Sequence, residues 1–191
     1  MREPLTSETW ADALDLYESS YTFVSVAPRD HAQWWLDFAS IVRLEARDPR
    51  GWRSIDPDEE EFDLRVDPIY PWLAPPATAE EAQRFHSQVR ELPRSSVRSL
   101  LVLLGILGLD VAKAWDWERR RPGMERRADV IMSRFPSDTR FHSNVGWKGD
   151  HPDFCEQPVT RLNPFSRFGW DAGLIAVNDA EVGVFWAFDP T

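Results

Sequence analysis

The chain has 191 residues, 42% of them hydrophobic, with ten tryptophans, one cysteine and a formal net charge of −10. A chain of this length normally folds as one domain that buries roughly 70% of its unfolded surface, and this much hydrophobicity argues against a disordered chain. The lone Cys155 excludes an intrachain disulfide, and the longest apolar run, Leu100 to Leu109, is about half of the ~20 residues a membrane-crossing helix needs.

The N-terminus, MREPLTSETWADALDLYESS, has no apolar core behind its early arginine and does not read as a signal peptide, so a cytoplasmic location is expected. Thr6 or Ser7 is placed to cap a first helix in which Trp10, Leu14 and Tyr17 recur at helical spacing. YTFVSVAP has the β-branched and aromatic content of a strand ending near Pro28. Asp30 followed by Gln33 resembles a capping box for a helix carrying Trp34, Trp35, Phe38, Ile41 and Val42, which must end before Asp48-Pro49. Phe62, Leu64 and Val66 then alternate with Asp63 and Arg65 as a half-buried strand would.

IYPWLAPPAT holds three prolines, so positions 68–76 are expected to form either a hinge between two lobes or a rigid surface wrap. Thr78 and Glu81 make a capping box for a helix through Phe85 and Val89. SSVRSLLVLLGILGLDVAKAWDWERRRPG predicts the longest helix, capped by Ser95 or Ser96 and halted at Arg121-Pro122-Gly123, although a buried strand over Leu100 to Leu104 fits the same apolar run. Met124, Ala128, Ile131, Met132 and Phe135 predict one more helix. TRFHSNVGW has strand character, and GLIAVNDAEVGVFWAFD predicts a hairpin turning at Asn178-Asp179 with Val182, Val184, Trp186 and Phe188 on one face. The order of elements, without a βαβ alternation, predicts an α+β fold in a single domain over residues 1–191. Its N-terminal two thirds are helix-rich, and an antiparallel sheet is completed by the C-terminal hairpin.

The negative charge is unevenly placed. Residues 1–92 hold 9 Arg against 19 Asp or Glu, a net of −10, whereas residues 93–191 hold 13 basic and 13 acidic residues. The densest stretch, DPDEEEFD, puts Asp56, Asp58, Glu59, Glu60, Glu61 and Asp63 within eight residues. A one-sided negative field repels nucleic-acid phosphates and attracts a basic partner, whose encounter rate it raises by about 10- to 1000-fold. Tryptophans one or two positions apart on a helix diverge by about 100° or 200°, so one of Trp34-Trp35 and one of Trp115-x-Trp117 should reach the surface. Exposed tryptophans anchor protein interfaces, and Trp35 is assigned to the partner-binding set with the six carboxylates.

Catalytic residue types concentrate only in FHSNVGWKGDHPDFCE, with His142, Asp150, His151, Asp153, Cys155 and Glu156. His151-x-Asp153 has the local spacing of a two-His-one-carboxylate iron site, but no histidine follows residue 151, so no metal centre is expected. A Cys155 thiolate served by His142 or His151 requires the fold to bring them together. The five arginines of ERRRPGMERR suit anion binding or, more simply, the C-terminal end of a long helix. No Walker loop, GxGxxG, GxSxG, HExxH or paired CxxC is present, and no cofactor is expected.

These features predict an acidic cytoplasmic binding protein that sequesters a basic protein partner, the profile of immunity proteins that block bacterial toxins such as nucleases. Twenty arginines against two lysines suit a GC-rich bacterial genome. Direct nucleic-acid or membrane contact is not expected. Two alternatives stay open: a small-molecule enzyme, a metal-assisted hydrolase or oxygenase using the His142 to Glu156 loop, and a nucleic-acid mimic that fills the groove of a DNA- or RNA-handling protein.

Overall fold

The structure, a computed structural model, describes residues 4–56 and 71–189. Helix α1 (Ser7–Leu14) opens on Thr6, whose hydroxyl accepts the Thr9 N–H while the Thr9 hydroxyl accepts the Thr6 N–H. A 3-10 turn, Asp15–Tyr17, follows and buries Tyr17. Strand β1 (Tyr21–Pro28) comes next, then α2 (Trp34–Val42). The expected Asp30–Gln33 capping box is absent, because Gln33 caps without a side-chain bond. Asp37 ties the loop down from inside the helix instead, its Oδ1 accepting the N–H groups of Asp30 and His31 at 3.1 Å each. Helix α3 (Ala79–His86) does carry the Thr78–Glu81 capping box.

Strand β2 (Arg90–Leu92) leads into α4 (Arg94–Leu104), and the single long helix expected here is two. Gly105 lies so close to the 3-10 turn that a Cβ on it would sit 2.6 Å from the Leu16 carbonyl oxygen, and Gly108 and Leu109 then take positive φ. The chain therefore turns away and restarts as α5 (Trp117–Ser133). Pro122 lies inside α5 rather than ending it, and this overturns the expected stop at Arg121-Pro122-Gly123. Only the second turn of the helix loses an N–H to the proline ring, and the helix continues beyond it. The rest of the chain is β3 (Arg140–Ser143), β4 (Val145–Gly146), β5 (Arg161–Leu162), β6 (Trp170–Val177) and β7 (Glu181–Asp189).

Five strands make one sheet in the order β1-β7-β6-β3-β2, every neighbouring pair antiparallel, and β4 and β5 form a separate ribbon. The fold is α+β. The β6–β7 hairpin turns where expected, with the Asn178 side-chain oxygen accepting the N–H groups of Ala180 and Glu181. Val182, Val184, Trp186 and Phe188 do share one face, packed with α2, α3 and Trp72. Phe185 and Ala187 point the other way, into a core shared with α1, α4 and α5. Because helices cover both faces, β6 and β7 are buried almost end to end and lack the half-solvated alternation of a one-sided sheet.

Two charged side chains are held by polar partners inside this core, although the Arg134 Nη1 has no hydrogen-bond partner among the described residues. Arg134 binds Glu181 through two nitrogens, at 3.0 and 2.9 Å, and Asp48 at 2.8 Å, while its guanidinium lies over Trp10 and Trp52. Asp171 accepts from Asn144, from the Trp186 indole N–H and from the N–H groups of Phe165 and Ser166. Among the described residues no helix is long and apolar enough to cross a membrane. The strand expected at residues 62–66 and positions 68–70 of the proline-rich segment lie outside the described residues. Pro71–Pro76 carries the buried Trp72 onto the sheet.

Candidate protein-binding surface

Asp56 is the only carboxylate of the acidic stretch among the described residues; Asp58, Glu59, Glu60, Glu61 and Asp63 lie outside them. Its place is set by Ile55, which exchanges backbone hydrogen bonds of 2.7 and 2.8 Å with Val24 on the outer edge of β1. The pairing is antiparallel, so the chain leaves Ile55 heading for the Tyr21 end of β1. Beyond the stretch, the Pro71 carbonyl accepts the Arg167 N–H, and Trp72 packs on Phe23 and Phe188 with ring centres 5.6 and 5.2 Å away. Both flanks of the acidic stretch are thus fixed at the β1–β7 side of the sheet.

The same end of the sheet carries exposed apolar groups. Trp170 opens β6 opposite Asp189, and it is 54% exposed. It stands two strands from β1, about 10 Å at the usual strand spacing. Trp170 lines a cleft of about 640 Å³ with Val111, Lys113, Trp117, Phe154 and Glu156. Leu107 and Trp115, which flank the lining segment 108–114, are 66% and 77% exposed. Trp115 is therefore the outward member of its pair, but it lies in the turn before α5 and not on a helix, so its exposure does not come from the helical spacing expected. Nothing in the sequence marks Trp170, which begins a strand whose next residues are buried.

Trp35 is the outward member of the other pair, half-buried and stacked on His86 with ring centres 4.2 Å apart. Its neighbour Trp34 stacks on His142 of β3 at 4.6 Å. Because β3 is three strands from β1, about 14 Å, the structure does not bring Trp35 beside Asp56. Trp170 lies at the Tyr21 end of the β1–β7–β6 strands, toward which the chain runs beyond Ile55.

Arg126 and Arg127 sit at the middle of α5, and Arg119, Arg120 and Arg121 sit in its first two turns, not at the end of a long helix. The helix dipole is unfavourable to them there, and neighbouring acids offset it. Arg119 pairs with Asp116 at 3.4 Å, and Arg121 pairs with Glu125 and Glu156 at 2.9 and 2.6 Å.

The residues of the polar loop are dispersed. His142 is 6% exposed and its Nε2 has no hydrogen-bond partner among the described residues. Burial, with Arg140 and His86 nearby, pushes its pKa down to about 4, so it is a neutral ring packed against Trp34. Phe141, the preceding residue, faces the opposite core, and Cys155 is buried there too. The sheet therefore separates His142 from Cys155. Burial, with Asp153 next, pushes the Cys155 thiol up to about 12, so it is not a thiolate at neutral pH. Asp153 turns the loop by accepting the Cys155 N–H, and His151 Nδ1 shares a 2.9 Å hydrogen bond with the Ser95 hydroxyl. Among the described residues no group of three or more His, Cys, Asp or Glu is arranged to hold a metal.

No family model matches the chain, and no curated protein and no solved structure shows significant similarity to it.

Proposed function

We propose that this protein is an acidic cytoplasmic inhibitor that sequesters a basic protein domain, as an immunity protein does with a toxin such as a nuclease. The observation that carries this reading is the cleft lined by the exposed Trp170, whose lining segment 108–114 is flanked in sequence by the exposed Leu107 and Trp115, at the sheet end toward which the chain runs as it enters the acidic stretch. Binding hot spots are rich in tryptophan, and carboxylates beside them steer a cationic partner and slow the approach of others. His142, His151 and Cys155 are dispersed, which gives less support to the enzyme alternative than to a binding surface.

The test is comparative capture. Wild-type protein, a variant with Asp58→Asn, Glu59→Gln, Glu60→Gln and Glu61→Gln, and a Trp115→Ala/Trp170→Ala variant are immobilised and exposed to extract of the source cells with its secreted proteins. The expected result is a protein of pI above about 9 retained by the wild type and depleted on both variants. One equivalent of the wild type should also suppress that protein's activity. Identical retention on all three surfaces would count against the proposal.

A further inference from the structure

A second cavity, of about 550 Å³, opens between the end of β2 and the β4–β5 ribbon, lined by Gln88, Arg90, Asn144, Gly146, Arg161 and Asn163 among others. Its lining contains two arginines and no carboxylate, in a chain whose net charge is −10. Among the described residues neither Arg90 nor Arg161 forms an ion pair. The walls are braced. The Thr160 N–H bonds the Gly146 carbonyl at 2.8 Å, Asn163 Nδ2 bonds the Gln88 carbonyl at 3.2 Å, and the buried Asn144 donates to the Asn163 carbonyl at 3.0 Å. Gly146 pairs with Arg161 so closely that a Cβ on it would lie 2.9 Å from the Arg161 Cβ, which fixes the root of that side chain. On the other wall the Arg90 guanidinium stacks over Trp147 at 4.2 Å. Stacking uses the flat face of the guanidinium and leaves its in-plane N–H donors available.

The geometry points to an oxyanion-binding pocket that takes a small molecule bearing a phosphate or carboxylate group, held by Arg90 and Arg161. Two like charges on one cavity repel each other, and an oxyanion between them relieves that repulsion while accepting charge-assisted hydrogen bonds. The volume lies within the range of small-molecule sites and exceeds what a bare phosphate fills, so the anionic group would carry an organic body. This pocket is distinct from the proposed partner surface, and it lies at the opposite, β2 edge of the sheet from β1.

The test is calorimetric titration of the full chain with inorganic phosphate, phenyl phosphate and benzoate at low ionic strength. One saturable site is expected. Arg161→Gln and Arg90→Gln should each weaken it about tenfold, as losing a hydrogen bond to a charged group does. Arg127→Gln, an exposed arginine on α5, should leave it unchanged. Both pocket arginines are exposed, so the variants should melt at the wild-type temperature, which separates lost binding from lost folding. Tighter binding of phenyl phosphate assigns the pocket to phosphate esters, and tighter binding of benzoate assigns it to carboxylates. No saturable binding of any of the three, or affinities unchanged in Arg161→Gln, would overturn the proposal.

Discussion

Gly173 faces Trp186 across the β6–β7 pair, and a Cβ on Gly173 would come within 2.0 Å of the indole ring. The indole lies where a side chain on the neighbouring strand would be, and its N–H reaches the buried Asp171 at 3.0 Å. Trp186 depends on that glycine for its place. Gly173→Ala is therefore expected to destabilise the protein by about 1–3 kcal/mol through overpacking, and Trp186→Ala by about 3–5 kcal/mol through the cavity it leaves. Urea unfolding of the two single variants and the double variant should give a total well below the sum, because the alanine at 173 no longer meets a ring. Strict additivity would show that the two sites do not share this contact.

Arg134 is the other structural dependency. Removing it as Arg134→Met leaves Glu181 and Asp48 with only Arg50, 3.7 Å from Glu181, as a neighbouring cation, and a loss of about 3–5 kcal/mol is expected. Replacing all three together, as Arg134→Met, Glu181→Met and Asp48→Leu, should recover most of that loss, since an apolar set of similar volume often matches a buried ion pair. Denaturation midpoints of the single and triple variants check this.

The burial of His142 makes stability depend on pH. Its folded pKa of about 4 lies below the unfolded value, so the unfolded chain binds more protons between about pH 6.5 and 4. Stability should therefore fall as the solution is acidified through that window, by at most about 3 kcal/mol from this residue. His86, whose pKa burial and Arg140 also lower, acts in the same direction. Unfolding free energies measured from pH 7 to pH 4 should show a shallower decline in His142→Phe than in the wild type. Parallel declines would contradict a buried, neutral His142.

Trp115→Ala and Trp170→Ala should each change stability by no more than about 0.5 kcal/mol, as surface substitutions do. If these residues anchor the partner, dissociation of the complex should quicken by about tenfold or more. Kinetics on the captured partner read this directly, and an unchanged dissociation rate would remove the cleft from the interface.

Much of the local chemistry was legible in the sequence, the Asp30–Gln33 capping box and the helix stop at Pro122 excepted, and tertiary placement was not. The Thr6 and Thr78 caps, the Asn178 turn and the shared face of Val182, Val184, Trp186 and Phe188 depend on neighbours a few residues away, so residue types alone specify them. The break after α4 depends on the Leu16 carbonyl lying against Gly105, a contact about 90 residues away in sequence that no periodicity reports. The separation of Trp35 from Asp56 follows from the strand order β1-β7-β6-β3-β2, which is a property of the assembled sheet. Trp170 escaped notice for the same reason: its exposure is decided by what the cleft leaves uncovered, while its strand reads as buried throughout.

The central claim is that the acidic stretch steers a basic partner, and the association rate constant tests it most directly. It should be measured for the captured partner with the wild type and with the Asp58, Glu59, Glu60 and Glu61 neutralised variant. The salt range should run from about 0.1 M to 1 M, where the Debye length falls from about 10 Å to 3 Å. The account predicts that the wild type associates at least tenfold faster at low salt, that the gap closes as salt rises, and that the variant is folded and at least as stable. Equal association rates for the two proteins at both salt concentrations would contradict it.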